Sequence, residues 1–155
     1  MRIVGIDPGC RKGGVGVVRD GLLGTADPLP VTDEGVDARA LMDTVQGADA
    51  IYIEKVHAMP KQGVTSSFNF GRGFGAVCAV AEMSGARVVF VTPREWKTYF
   101  GLTGKTTAGK DGPRLLAIEM FPRLATDLKR KKDLDKAEAL LIARYGFDME
   151  TGDKP

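Results

Sequence analysis

The sequence predicts an α/β domain, a mixed five-stranded sheet with helices flanking both faces. Three observations predict it. Residues 2–26 hold three short apolar runs separated by tight-turn signals, the pattern of an antiparallel meander. Two more apolar runs, at 50–54 and 87–91, each follow a stretch of helical character, as in βα units. The chain has 155 residues, enough to bury the core of one such domain but hardly of two. The expected organisation is one domain over residues 1–146 and a short C-terminal tail over 147–155.

The first run, RIVGID at 2–7, is closed by Pro8-Gly9 and reads as a strand entering a turn. GGVGVV at 13–18 is the second strand, and Arg19-Asp20-Gly21 is a hairpin signal leading into a third at 22–26. Residues 33–46 carry a partly helical pattern with Val36, Ala40, Leu41 and Val45 on the buried side. AIYIE at 50–54 is the fourth strand. Residues 57–72 read as a long polar connection, and 70–83 as an Ala- and Gly-rich helix that is apolar on more than one side. RVVFV at 87–91 is the fifth strand. Thr92 and Pro93 are an N-cap and a first-turn proline for a short helix through Trp96. A polar loop spans 101–112, and Pro113 begins a helix through Met120. The last helix is expected from residue 133 or 134 to Tyr145, with Gly146 in the place of a C-cap glycine.

Composition narrows the class. No apolar run is long enough to span a bilayer, and the N-terminus reads directly into a strand, so no secretory signal is expected. Cys10 and Cys78 are far apart in sequence and form no metal-ligand spacing, which fits free thiols in a cytosol-like compartment. The expected compartment is the cytoplasm, of its own cell or of a host, with an organellar stroma as the alternative. The net charge is only +2, but its distribution is uneven. Lys/Arg stand against Asp/Glu 9 to 10 over residues 1–93, 11 to 6 over 94–136 and 2 to 4 thereafter. A positive excess confined to one stretch is how a polyanion-binding face looks.

The acidic residues carry the chemistry. Asp7 and Glu54 each end an apolar strand, and Asp135 and Glu138 are three apart on the last helix, so their carboxylates share one face near its N-terminus. Taken singly, each is as readily a turn former, an edge charge or a cap. Together they can converge into an oxygen-rich pocket for Mg²⁺ or Mn²⁺. Two such ions can clamp a scissile phosphate and acidify an attacking water. Asp133, five positions before Glu138, reads as the helix N-cap.

Asp7 in GIDPG, Glu54 in YIEKV and the stretch KKDLDKAEALLIARYG resemble the RuvC family of Holliday-junction resolvases, above all its phage and chloroplast branches. SFNFGRGFGAVCAV and VTPREWK resemble that family's counterparts in order and spacing. The resemblance covers residues 1–146. It implies a ribonuclease-H-like fold and four acidic metal ligands, falling on Asp7, Glu54, Asp135 and Glu138, with two Mg²⁺ per site. It also implies a homodimer making paired nicks across a four-way DNA junction and leaving 5′-phosphate and 3′-hydroxyl ends. Many members have aspartate where this chain has Glu138. The chloroplast branch has glutamate there, keeps the acid at Asp133 and is glycine-like at Asp135, which makes Asp133 a rival third ligand.

Candidate DNA contacts follow. Lys129, Arg130, Lys131 and Lys132 immediately precede the acidic helix, where cations can hold phosphates and steer DNA to a pocket that would otherwise repel it. Lys132 is the expected cation nearest the scissile phosphate. Lys61, Arg72, Arg94, Lys97, Lys105, Lys110 and Arg114 are further phosphate-contact candidates. Phe68, then Phe70, are candidate wedges against unpaired bases, with core packing as the competing reading for Phe70. Gly71, Gly73 and Gly75, with Ala76, Ala79 and Ala81, leave room for a second helix. His57 reads as a local hydrogen-bonding residue, and Trp96 is left without a role.

Other functions fit less well. GLTGKTT resembles half of a phosphate-binding loop, but the full signal requires glycine at position 99, which is Tyr99. No nucleotide cofactor is therefore expected. A ribonuclease-H-like nuclease of hybrid or unbranched substrates, and a junction-binding protein without chemistry, are the alternatives.

Overall fold

The computed structural model describes residues 1–9, 12–56, 63–103 and 109–153. Cys10, His57, Lys61 and Lys105 lie outside them, so the readings placed on those four are not addressed by the structure. Strands β1 (Arg2–Asp7), β2 (Gly14–Arg19) and β3 (Leu23–Pro28) form the antiparallel meander. Two short strands, β4 (Val31–Thr32) and β5 (Gly35–Val36), make a small separate hairpin before helix α1 (Ala38–Val45). Strand β6 (Ala50–Glu54), helix α2 (Val64–Met83), strand β7 (Arg87–Val91) and helix α3 (Pro93–Tyr99) follow. Helices α4 (Gly112–Met120) and α5 (Leu134–Thr151) complete the order.

The main sheet has the order β3-β2-β1-β6-β7, with β6 parallel to β1 and β7 parallel to β6. It is the mixed five-stranded sheet expected. Strand alternation divides the core into two. Ile3, Val18, Ala50 and Tyr52 pack with α4 and α5 on one face. Val4, Ile6, Val15, Val17, Ile51 and Ile53 pack with α1 and α2 on the other. Asp7 and Glu54 continue the alternation of Ile3 and Tyr52, which points them to the α5 face.

That face is built for close approach. A Cβ added at Gly5, Gly14 or Gly16 would run into the α5 backbone at Ala139 and Ala143, Asp135, and Leu140 respectively. Bare strand backbone under α5 lets the acidic helix lie directly on β1, which ends at Asp7, and on β2 beside it.

Several boundaries differ from those expected. α1 begins at Ala38, not at 33, because Asp37 caps it by accepting from the backbone N–H groups of Arg39 (3.1 Å) and Ala40 (3.0 Å). α2 begins at Val64, six residues before Phe70, with no side chain capping its start, so polar Thr65 to Ser67 read as loop. α5 runs through Gly146 to a left-handed Gly152 at φ 75°. Gly146 serves packing, since a Cβ there would meet the Tyr52 ring at 2.5 Å. The extra turn is held by buried Asp148, whose carboxylate accepts from Arg144 Nε (2.7 Å) and the Tyr99 hydroxyl (3.2 Å). Burial raises the Asp148 carboxyl, and burial and Asp148 together push Tyr99 up to about 12. Thr92 as N-cap and Pro93 in the first turn are as the sequence predicts, and the Glu95 side chain completes a capping box with Thr92. Among the described residues Cys78 is a free thiol, and no helix is long and apolar enough to cross a membrane.

Candidate active site

Asp7, Asp135 and Glu138 converge. One carboxylate oxygen from each lies within 4.8 Å of the others. Asp7 arrives from the C-terminal end of β1, the other two from the first turns of α5, and the glycines beneath α5 permit the meeting. Burial, then the charges of Glu54 and Glu138, raise the Asp7 carboxyl to about 8; the Gly9 N–H, 3.1 Å from it, and Asp135 contribute less and in opposite senses. Burial and Glu138 likewise raise Asp135. Acids packed this closely hold protons they would lose in water, and a divalent cation in their midst would reverse that preference.

Glu54 is the fourth member of this neighbourhood but stands outside the three-carboxylate group. It is 9% exposed, and its Oε1 accepts from Trp96 Nε1 at 2.8 Å. Burial raises its carboxyl, the Trp96 bond opposes that rise, and Glu138 adds to it. Trp96, unassigned from the sequence, is thus a fully buried core residue whose one polar atom orients an acid of the site. Its place in the sequence gave no such signal, because Glu54 is 42 residues away.

The rival acid has other work. Asp133 is 3% exposed and accepts from the Arg130 backbone N–H (2.9 Å), Nε (3.1 Å) and Nη2 (3.0 Å), with Lys136 Nζ at 3.2 Å. The Arg130 bonds, then Lys136, hold its carboxyl far below the usual range. Asp133→Asn is expected to cost about 1–3 kcal/mol in denaturant unfolding while retaining most nicking, because it loosens a buried, charge-assisted network. Asp135→Asn is expected to do the opposite, and the two variants measured side by side check the assignment.

The cations divide into free and committed. Lys129, Lys131, Lys132, Arg94 and Lys110 are exposed. Arg130 is paired with Asp133 as above. Lys97 lies not at the periphery but against the site, its Nζ 2.8 Å from Glu138 Oε1 and 4.9 Å from the Trp96 ring centroid. Arg114 corrects the sequence reading. It is 8% exposed, bound to both Asp111 oxygens (2.8 and 2.6 Å) and to the Leu128 carbonyl (2.8 Å), so it locks α4 to the following loop. Three of its five donors are bound internally, so this guanidinium is committed to the fold and not presented on the open surface.

The aromatic candidates separate as well. Phe68 lies on α2 and is 69% exposed. Phe70 is buried, which favours its core-packing reading and corrects the wedge reading, because it opens the inward face of a helix that starts earlier than expected. Arg72 Nη2 donates to the Glu34 carbonyl and so ties α2 to the β4–β5 hairpin. Lys12, not singled out from sequence, faces Asp135, whose carboxyl it draws down.

A mixed sheet whose two central parallel strands end in carboxylates, beneath a helix carrying two more, defines a ribonuclease-H-like nuclease domain. The fold is that of Thermus thermophilus RuvC in complex with Holliday junction substrate, with a TM-score of 0.65 at 21% identity over 98% of this chain and 97% of that one. Crossover junction endodeoxyribonuclease RuvC of Anaeromyxobacter sp. (strain K) is 33% identical across 92% of this chain and 78% of its own length. The chloroplastic Holliday junction resolvase MOC1 of Chlamydomonas reinhardtii is 33% identical over 62% of this chain, but that match spans only 11% of the larger protein. No family model matches the chain. The chain belongs to the RuvC family of crossover junction endodeoxyribonucleases.

Proposed function

We propose that this chain is a metal-dependent endonuclease that resolves four-way DNA junctions by paired, symmetrical nicks. The convergence of Asp7, Asp135 and Glu138 beside a run of cations carries the reading. Hard carboxylate oxygens and an Asp7 carboxyl raised to about 8 fit a divalent cation in that place. Asp7, Asp135 and Glu138 would hold Mg²⁺ or Mn²⁺, with Glu54 completing the set and Asp133 left to its ion pairs. When bound, one or two such ions neutralise a phosphate and make water acidic enough to attack it.

The chain's own groups do the remainder. Trp96 holds the Glu54 carboxylate in a single orientation. Lys97, on Glu138, and Lys132, at the mouth of the site, supply positive charge for the scissile phosphate. Lys129 and Lys131, with Arg94 and Lys110 further off, hold flanking phosphates, and exposed Phe68 is the wedge at the junction centre. Neutralising Lys131 and Lys132 together is expected to weaken junction binding and flatten its log–log salt dependence by about 1–2 units. Binding that keeps both its strength and its slope would remove these two from the interface.

A homodimer belongs to the same reading, since paired nicks need two sites. Val64, Gly71, Gly75 and Ala79 form an exposed, small-residue and apolar stripe along α2, with none of the described residues within 4 Å of a Cβ placed on Gly71 or Gly75. Sedimentation at the mass of one 16.6 kDa chain under cleaving conditions would exclude the dimer.

The test is cleavage of an end-labelled four-way junction with Mg²⁺, set against linear duplex, an RNA–DNA hybrid and the Asp7→Asn protein. Symmetrical, metal-dependent nicks confined to the junction are expected. Preferential cutting of the hybrid would make this a different ribonuclease-H-like nuclease. Tight junction binding without cutting under Mg²⁺ or Mn²⁺ would make it a structural protein.

A further inference from the structure

We propose that the groove between the β4–β5 hairpin and the first turns of α2 receives a short unpaired length of the strand being cut. The inference rests on the junction-nicking reading and deepens it. The groove has a volume of about 700 Å³ and opens beside the site, sharing Pro8, Gly9 and Asp135 with it. That is the space of a drug-sized ligand, or about one or two nucleotides, and far too narrow for a duplex arm.

Its lining has two characters. Lys12, Arg72, Arg130, Lys132 and Lys136 bring positive charge around it. Leu29, Val36 and Phe70 give apolar surface, with Leu29 and Phe70 buried in the wall. The acids present do not cancel the charge. Asp133 takes up one of the two charges of Arg130 and Lys136 and leaves the other, and Asp135 belongs to the carboxylate group beside Lys12. Asp33 alone adds an uncommitted negative charge. Cations around an apolar floor match a single strand, whose phosphates take the charge while sugars and unstacked bases take the floor. A small organic anion would satisfy the cations but leave the apolar floor unused.

The wall is held in place. The bond from Arg72 Nη2 to the Glu34 carbonyl anchors the hairpin tip to α2, and Asp37, directly after β5, caps α1. The hairpin therefore forms a fixed side to a channel that begins at the carboxylates. A strand entering it would be drawn past Asp7 in one direction, which makes groove residues such as Val31 and Asn69 determinants of how the nucleotides next to the cut are seated.

The experiment uses the full chain with a benzophenone amino acid in place of Val31, which is exposed and lines the groove. It is bound to a four-way junction in Ca²⁺, irradiated, and the attachment mapped. Cross-linking within two nucleotides of the nick, on the cut strand, is expected. Asn69→Trp, which fills the groove from an exposed helix position, is expected to slow nicking at least 20-fold while junction affinity changes less than threefold and the unfolding temperature is kept. Cross-links confined to duplex arms, no cross-link on a bound junction, or unchanged nicking by Asn69→Trp would each overturn the groove assignment. Failure of the unmodified protein to bind or nick junctions would instead overturn the reading beneath it.

Discussion

Asp7→Asn is expected to abolish nicking and, in metal-free buffer at pH 8, to make the protein more stable than the wild type. The Asp7 carboxyl is raised from 3.8 to about 8, first by burial and then by Glu54 and Glu138. Between those two values the folded chain keeps a proton that the unfolded chain has released. Stability therefore falls as pH rises through this window, and the full cost is felt above about pH 8. Below about pH 4 both states are protonated and the cost vanishes. Asparagine has the same shape and no charge to bury, so the variant escapes the cost. A gain of about 3 kcal/mol at pH 8, or roughly 6–12 °C in Tm, is expected to shrink towards zero as pH approaches 4. Millimolar Mg²⁺ should raise the wild-type Tm and leave that of the variant nearly unmoved, because the carboxylate group has lost a ligand. Junction binding should persist or tighten, while nicking falls by at least ~10³-fold. A variant equal to wild type in nicking, or no more stable in EDTA at pH 8, would remove Asp7 from the centre of this site.

The carboxylates were legible in the sequence because each closes a pattern. RIVGID and AIYIE are apolar strands that stop at an acid, and Asp135 and Glu138 share a helical face by spacing alone. Which of Asp133 and Asp135 faces the others was not legible. A two-residue difference at a helix start turns a side chain to another side, and only the Arg130 and Lys136 contacts show Asp133 to be occupied. Arg114 illustrates the same limit. A cation in a basic segment looks like a phosphate contact until its partners at Asp111 and Leu128 are known. The start of α2 was obscured by Thr65, Ser66 and Ser67, residues that favour loops intrinsically but are tolerated on an exposed helical turn. Gly146 carried a misleading signal. Glycine ends helices often enough to suggest a cap, yet here it makes room for the Tyr52 ring. The five-stranded sheet was read correctly because alternation and turns are local, whereas the role of Trp96 depends on a contact between separate elements.

Gly14→Ala is expected to damage both the fold and the site, more than its single added methyl suggests. Gly14 begins β2 directly opposite Asp7, and the new Cβ would fall against the Asp135 backbone, 2.7 Å from its carbonyl carbon and 2.8 Å from Lys136 Cα. Both obstacles are main chain, so no rotamer change relieves them. Either β2 shifts, breaking its register with β1, or the first turn of α5 lifts away. The first turn is the softer choice, since its backbone N–H groups are not yet bonded within the helix. Lifting it moves Asp135 and Glu138 away from Asp7, and a displacement of about 1 Å in such a cluster is worth about 10²-fold in rate. The overpacking itself is expected to cost about 1–3 kcal/mol, a fall of roughly 2–12 °C in Tm. Replacing Gly75, where an added Cβ meets none of the described residues, gives the control: Gly75→Ala should leave metal affinity at wild-type strength. Calorimetric titration with Mn²⁺ separates the two effects of Gly14→Ala, because a merely destabilised protein still binds metal normally at a temperature where it is folded. Weakened Mn²⁺ binding by folded Gly14→Ala would mean that the bare strand beneath α5 sets the carboxylate geometry. Unchanged binding with a lowered Tm would confine that glycine's role to packing.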